Sequence, residues 1–369
     1  MTWAELHSES ERLAIEAELS LRTRNKSKAI ELYKRAAEIE RRAFDLLDVS
    51  KARTRGITAI SAVALWYKAG EYVLAEQLAY SVLADARVPD FARDELRTLV
   101  QAIWTENSKQ KAGVTFLPGQ VMVSVKGGEV VTGGAPLDLV VDKVQTIQSM
   151  FYRTIEFLRG DSLRRVGRPS KELQETCRPW LFQSAPGSYQ FSVAIQKPTQ
   201  TDFFKQDIEP ERVAQHFLEI VSASSGDDIA KLQQLVPDDS YRSTFLKLTR
   251  NLAPTGKTFD SIELRASGEM KPVSLGVDAR TNINQQLKKK ATVESASNEV
   301  FEELRGTLRA LHLDKDWLDV VVDGVSVHVE GLQDAVDDVI GPMVNRPVVV
   351  RVIRKSQKKI KFLDIELAE

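Results

Sequence analysis

The segment with the most suggestive chemistry is Ala253-Pro254-Thr255-Gly256-Lys257-Thr258. A Gly-Lys-Thr tail closes the loops that wrap a nucleotide's phosphates with backbone N–H groups and a lysine. That wrapping needs a further glycine five residues before Gly256, where Asn251 stands. It also needs a strand before the loop and a helix after it, so that the helix N-terminus faces the anion. Here a helical pattern precedes, and the β-rich Phe259-Asp260-Ser261-Ile262-Glu263-Leu264 follows. The segment reads as a turn.

Two basic stretches offer phosphate contacts instead. Arg164-Arg165-Val166-Gly167-Arg168-Pro169-Ser170-Lys171 contains a Gly-Arg-Pro core that resembles an AT-hook, whose extended Arg-Pro segment lies in a narrow minor groove. Arg164, Arg165 and Arg168 are the candidate contacts. The alternative is a basic loop between helices, with Ser170 capping the next one. Near the C-terminus, Arg351, Arg354, Lys355, Lys358, Lys359 and Lys361 form a strip that would follow a phosphate backbone. Single-strand binders also stack bases on aromatics, and only Trp317, Phe362 and Phe301 are at hand. Asp334, Asp337 and Asp338 oppose a positive surface, and lysines on a hairpin also deter edge-to-edge sheet pairing.

Signatures of catalysis are missing. His7, His216, His312 and His328 lie far apart, and no Gly-x-Ser-x-Gly elbow, metal-ligand pair or glycine-rich cofactor loop occurs. Cys177 is the only cysteine; Arg178 beside it would lower its pKa, whereas an isolated buried thiol is inert. No catalytic residue, cofactor or metal is expected. An enzyme whose site is discontinuous in the central region stays open as a third reading, with no reaction type implied.

Bulk properties set the frame. A chain of 369 residues exceeds one ordinary core, and 43% apolar content is enough to fold. The formal net charge of −1 leaves no whole-molecule field to attract nucleic acid or an anionic membrane. The N-terminus lacks a charged region followed by an apolar run, and no stretch has the apolar length of a spanning helix. A cytoplasmic protein without membrane contact is expected.

From Trp3 to Glu106 the apolar residues recur at helical spacing, which predicts helices over 3–22, 27–47, 52–69, 72–86 and 90–106. Trp66 precedes Ala69-Gly70-Glu71-Tyr72 and then Ala75, Ala79 and Leu83. Asn25, standing for the turn glycine, precedes Ala29, Tyr33, Ala36 and Ala37. Small residues let a second helix nest on the first, and aromatics fill the gaps between hairpins. These two segments resemble tetratricopeptide repeats. Ala29 and Ala75 are 46 residues apart, more than the family period of about 34. Packing roles fall to Trp66, Gly70, Tyr72, Ala75, Ala29 and Tyr33. The resemblance implies that this region binds another protein.

Asn107 to Gly113 reads as a linker. Beyond it, Val121–Val125 and Val130-Val131 suggest a hairpin around Lys126-Gly127-Gly128-Glu129, followed by a helix over 137–159. Tyr189–Ile195 reads as an alternating strand, then helices over 210–223, 227–235 and 239–252. A strand pair at Phe259–Arg265 and Val273–Val277 and a helix over 279–291 complete this region. In the last seventy or so residues, strands at 304–313, 317–322, 325–329, 347–353 and 359–367 enclose a short helix over 332–340. That order resembles the small barrel of the oligonucleotide/oligosaccharide-binding fold.

The expected protein is therefore multidomain, α + (α+β). It has a tetratricopeptide-like helical array over 1–107, a central α+β domain over 114–292 and a small barrel over 299–369. The leading function is a non-enzymatic adaptor or scaffold that binds another protein through the array. By association alone, such chains accompany bacterial signalling or defence systems. The second function is nucleic-acid binding through the barrel and the 164–171 loop.

Overall fold

The structure, a computed structural model, describes residues 1–112, 120–131, 133–183, 189–196, 210–226, 229–266, 271–294, 300–332, 336–354 and 359–368. Contacts divide the chain into two compact units: Met1–Val114 with Phe182–Gly187, and Thr115–Leu181 with Ser188–Glu369.

The first unit is an array of five helices, α1 (Trp3–Arg22), α2 (Lys26–Asp45), α3 (Ala52–Lys68), α4 (Tyr72–Leu83) and α5 (Asp90–Ala112). Thr2 starts α1 with a capping box, its hydroxyl accepting from Glu5 N while the Glu5 carboxylate accepts from Thr2 N. Short turns reverse the chain at each step. Helix α2 covers the seam between α1 and α3, and α4 covers the seam between α3 and α5. Helices α1, α3 and α5 lie side by side. Trp3 Nε1 donates to Thr58 Oγ1 at 3.2 Å, and Lys68 Nζ reaches Glu18 at 3.4 Å. Gly56 on α3 lets α5 come close, since a Cβ there would lie 2.9 Å from the Ala92 Cβ.

The two hairpin turns repeat the same geometry. Asn25 N donates to Ser20 O at 2.8 Å around Arg24, whose φ is +60°. Glu71 N donates to Trp66 O at 3.0 Å around Gly70, whose φ is +76°. The residue in the glycine position of the first turn is thus Arg24, not Asn25. Asn25 instead caps α2, accepting from Lys28 N at 3.2 Å. The left-handed region strains any side chain, and a Cβ on Gly70 would meet nothing within 4 Å. Arg24→Gly is therefore expected to raise stability by about 0.5–1 kcal/mol and Gly70→Ala to lower it by about 1 kcal/mol. Denaturant midpoints moving in opposite directions are the check.

At the other end of the array, arginines of a following helix satisfy the carbonyls that end the preceding one. Arg55 donates to Leu47 O at 2.7 Å while lying over the Phe44 ring. Arg93 donates to Asp85 O at 2.7 Å and Val88 O at 3.0 Å. The expected linker at 107–112 is helical, the last part of α5. It holds no glycine or proline before Gly113, and Lys109 pairs with Glu106 at 2.7 Å.

The second unit begins with β1 (Val121–Lys126), the middle strand of a five-stranded sheet. The order is β2 (Pro179–Gln183), β3 (Tyr189–Ile195), β1, β4 (Ser261–Ala266), β5 (Val273–Leu275). Val130-Val131 does not return along β1, because β3 and β4 already occupy both of its edges. Gly127 and Gly128, with φ of +78° and +62°, instead turn the chain onto the 258–260 segment, where Glu129 N donates to Thr258 O at 2.9 Å. A Cβ on Gly128 would stand 2.5 Å from that carbonyl oxygen. Strand β3 does not alternate, for its last five residues are all buried. Helices α6 (Leu137–Leu158), α8 (Pro210–Ser225), α10 (Asp239–Leu252) and α11 (Val277–Glu294) pack together, and α8 and α11 lie against β4 and β5 of the sheet. Phe151 stacks on Phe217 at 4.5 Å within their core. Two further helices are short, α7 (Lys171–Thr176) and α9 (Ile229–Leu235). Ser170 caps α7, accepting from Leu173 N at 3.1 Å.

The C-terminal strands are β6 (Val300–His312), β7 (Trp317–Val322), β8 (Val325–Glu330), β9 (Pro347–Arg354) and β10 (Ile360–Leu367). They follow the order β10-β8-β7-β6-β9, and β9 pairs antiparallel with β10. The remaining seam, β8 to β10, is one parallel pair, Glu330 with Lys361. The expected barrel is therefore a curled sheet whose ring is completed in strand order but not by a ladder. The expected helix over 332–340 is, among the described residues, a π-helical turn at Val336–Ile340 followed by a 3-10 turn at Gly341–Met343. One apolar core runs from Val121 in the first sheet to Ile365 in the second.

Candidate interaction surfaces

In the helical array, five of the six residues expected to pack lie in or against its core, while Gly70 is exposed in the turn and serves backbone conformation instead. Ala29, Tyr33, Trp66 and Ala75 are buried in a single core, and Tyr72 packs partly buried against it. Tyr67 and Tyr72 meet at 5.7 Å between ring centres. Burial pushes both phenols up, Tyr67 most, with the Glu106 carboxylate adding to the effect. Glu40, buried on α2, accepts from His7 Nδ1 at 2.9 Å, and Trp3 stacks on His7 at 5.2 Å. Burial raises the Glu40 carboxyl in spite of His7. These groups hold α1 to α2 and leave little of themselves exposed. What the α1–α3–α5 layer offers outward is a set of apolar side chains, Ile15, Leu19, Ile57 and Phe91, with the Arg53 guanidinium 5.7 Å from the Phe91 ring.

Four of the eight basic candidates pair with carboxylates of this chain. Arg164 Nε donates to Glu156 at 3.0 Å, and Arg165 bonds Leu332 O at 2.9 Å and pairs with Asp316. Arg354 grips Glu302 with two bonds of 2.6 and 3.0 Å, and the guanidinium lowers that carboxyl. Arg351 reaches Glu303, Asp364 and Glu366 at 3.3, 3.1 and 2.8 Å. Arg168 and Lys359 are exposed, and Lys355 and Lys358 lie outside the described residues. A phosphate would have to displace a carboxylate at four of these positions.

Two buried arginines, neither marked by any motif, lie among these pairs. Arg153 on α6 donates from Nε to Asp338 at 2.7 Å and from Nη1 to Glu156 at 3.2 Å. Arg250 on α10 grips Asp364 on β10 at 2.5 and 3.0 Å and also donates to Ile365 O. Burial alone would raise the Asp364 carboxyl, but Arg250, Lys247 and Arg351 around it hold it below the usual range. Asp338 and Asp364 lie 185 and 114 residues away and leave no local pattern, so only the i,i+3 spacing of Arg153 and Glu156 was there to read.

The Ala253–Thr258 segment is irregular and lies between α10 and β4, the reverse of the order a phosphate loop requires. Cys177 is buried; burial pushes its thiol up, with Arg159 nearby at 3.8 Å acting in the other direction. Phe362 is buried and Phe301 exposed. Trp317 stands between His312 and His328, its ring 5.3 and 5.0 Å from theirs, and Asp319 lies 2.7 Å from His328 Nδ1. Among the described residues, no group of three or more His, Cys, Asp or Glu side chains could hold a metal ion. None of the described helices is long and apolar enough to cross a membrane. Comparison with protein-family models, curated proteins and solved structures finds no match to this chain.

Proposed function

We propose that the helical array is a protein-binding module of the tetratricopeptide type and that the chain works as a non-enzymatic adaptor. The observation that carries this reading is the repeated hairpin. The same turn and the same buried alanine, Ala29 and then Ala75, recur 46 residues apart, each second helix covering a seam of one helical layer. An array of stacked hairpins buries its core between neighbours and keeps an extended layer for a partner. The C-terminal strand order, with a helical turn between the third and fourth strands, supports a small barrel of the oligonucleotide/oligosaccharide-binding type as a further module. Nucleic-acid binding is the weaker reading, because four of its eight candidate contacts already hold carboxylates.

The test is affinity capture with the full chain from its host, identification of the retained protein, and titration of that protein, purified, against wild type and Ile57→Glu. Ile57 is 44% exposed, so the substitution leaves the core alone. A purified partner that binds wild type and is weakened at least about tenfold by Ile57→Glu is the expected result. Recovery of no partner that binds again when purified would refute the reading.

A further inference from the structure

The outer face of β7 and β8 carries a feature that neither the array nor the apolar core uses. Leu318, Val320 and Val329 are buried, so the alternate residues Trp317, Asp319, His328 and Glu330 face outward. Pairing sets them in rows: His312, Trp317 and Glu330 in one, Ala310, Asp319 and His328 in the next. An indole thus lies between two imidazoles, with carboxylates beside it. The Glu330 side chain is 63% exposed and His328 48%, whereas Asp319 is steadied by its 2.7 Å contact with His328 Nδ1.

The geometry points to this face as a docking site for an arginine side chain of a basic peptide segment, the guanidinium stacked on Trp317 and bonded to Asp319 and Glu330. Charge chooses the occupant. Residues 313–331 hold Asp314, Asp316, Asp319, Asp323 and Glu330 against Lys315, and Lys361 of β10 stands opposite Glu330 across the seam, so carboxylates still outnumber cations on this face. A nucleic-acid backbone would be repelled there, whereas a cation is drawn to both the ring face and the carboxylates. Arginine fits better than lysine because its planar fork stacks and bonds at the same time. The edge of the face already accepts one guanidinium, Arg165, which pairs with Asp316 just before β7. The residues of this face belong to the second unit, and the inference does not depend on the role proposed for the helical array.

Fluorescence anisotropy of the full chain with labelled Gly-Arg-Gly-Arg-Gly, its lysine and citrulline counterparts, and a short oligothymidylate tests this. The arginine peptide is expected to bind most tightly and the citrulline peptide least. Trp317→Ala and Asp319→Asn should each weaken the arginine peptide by about tenfold, while Trp317→Phe retains most of the affinity. Circular dichroism confirms that each variant is folded, and the outward Asp319→Asn carries the test if Trp317→Ala is not. Failure of the arginine peptide to bind, or equal binding by wild type and both weakened variants, overturns the assignment. So does an oligothymidylate that binds through Trp317 in place of the peptide.

Discussion

Removing the Arg250 side chain is expected to cost about 3–5 kcal/mol, because it strands the buried Asp364 carboxylate without its closest partner. Asp364→Asn should cost a similar amount from the other side, leaving a fully buried guanidinium facing an amide. Arg351 and Lys247 also lie within reach of Asp364, at 3.1 and 3.9 Å, and soften neither loss fully since each serves another group or lies farther away. Arg250→Met with Asp364→Leu removes both charges and should recover most of the stability, as apolar replacements of buried pairs commonly do. The pair also gives a pH signature. Asp364 has a folded pKa held below its unfolded one, so its stabilisation is complete above the unfolded value of about 4 and is lost as pH falls through the depressed value. The wild type should therefore lose its advantage over Asp364→Asn in acid. Denaturant unfolding across that range measures both effects, and a single charge removal as mild as the apolar double would show that the pair does not bind α10 to β10.

The second large effect belongs to the helical array. Trp66 is buried at the end of α3, and Trp66→Ala is expected to cost about 3–5 kcal/mol. Ala75 has no exposed surface on α4, so Ala75→Leu must overpack the crossing with α3 and should cost about 1–3 kcal/mol. Lys28→Ala is the control. Its 3.2 Å pair with Glu16 joins two exposed side chains, so the change should stay within about 0.5 kcal/mol. Hydrogen exchange of α3 and α4 amides reads the three in the full chain. Equal protection in all three would remove the nested hairpin, and with it the support for the adaptor reading.

Elements with strong local patterning were legible from the residues alone. The α10 bounds, 239–252, and the β7 bounds, 317–322, agree with expectation because a capping Asp238 and turn residues mark their ends. Where tertiary contacts decide, the residues misled. Gly127-Gly128 looked like a hairpin turn, yet the partner of that turn is Thr258, far along the chain. The polar run after Asn107 looked like a linker, yet nothing in it before Gly113 breaks a helix. In the first array turn, the αL position belongs to an arginine, which no propensity would nominate. The basic candidates were visible as charges, but the carboxylates that hold Arg164 and Arg351 come from other elements. Trp317, His312 and His328 were visible singly, and only the register of three strands places them together.

If the array is the partner-binding surface, as proposed, hydrogen exchange of the full chain with and without the purified partner recovered by affinity capture will show it. Added protection is predicted across α1, α3 and α5, including the segments that carry Ile15, Leu19 and Ile57, and it should vanish with Ile57→Glu. Protection confined to residues 115–369, with α1 to α5 exchanging as in the free protein, would contradict the account.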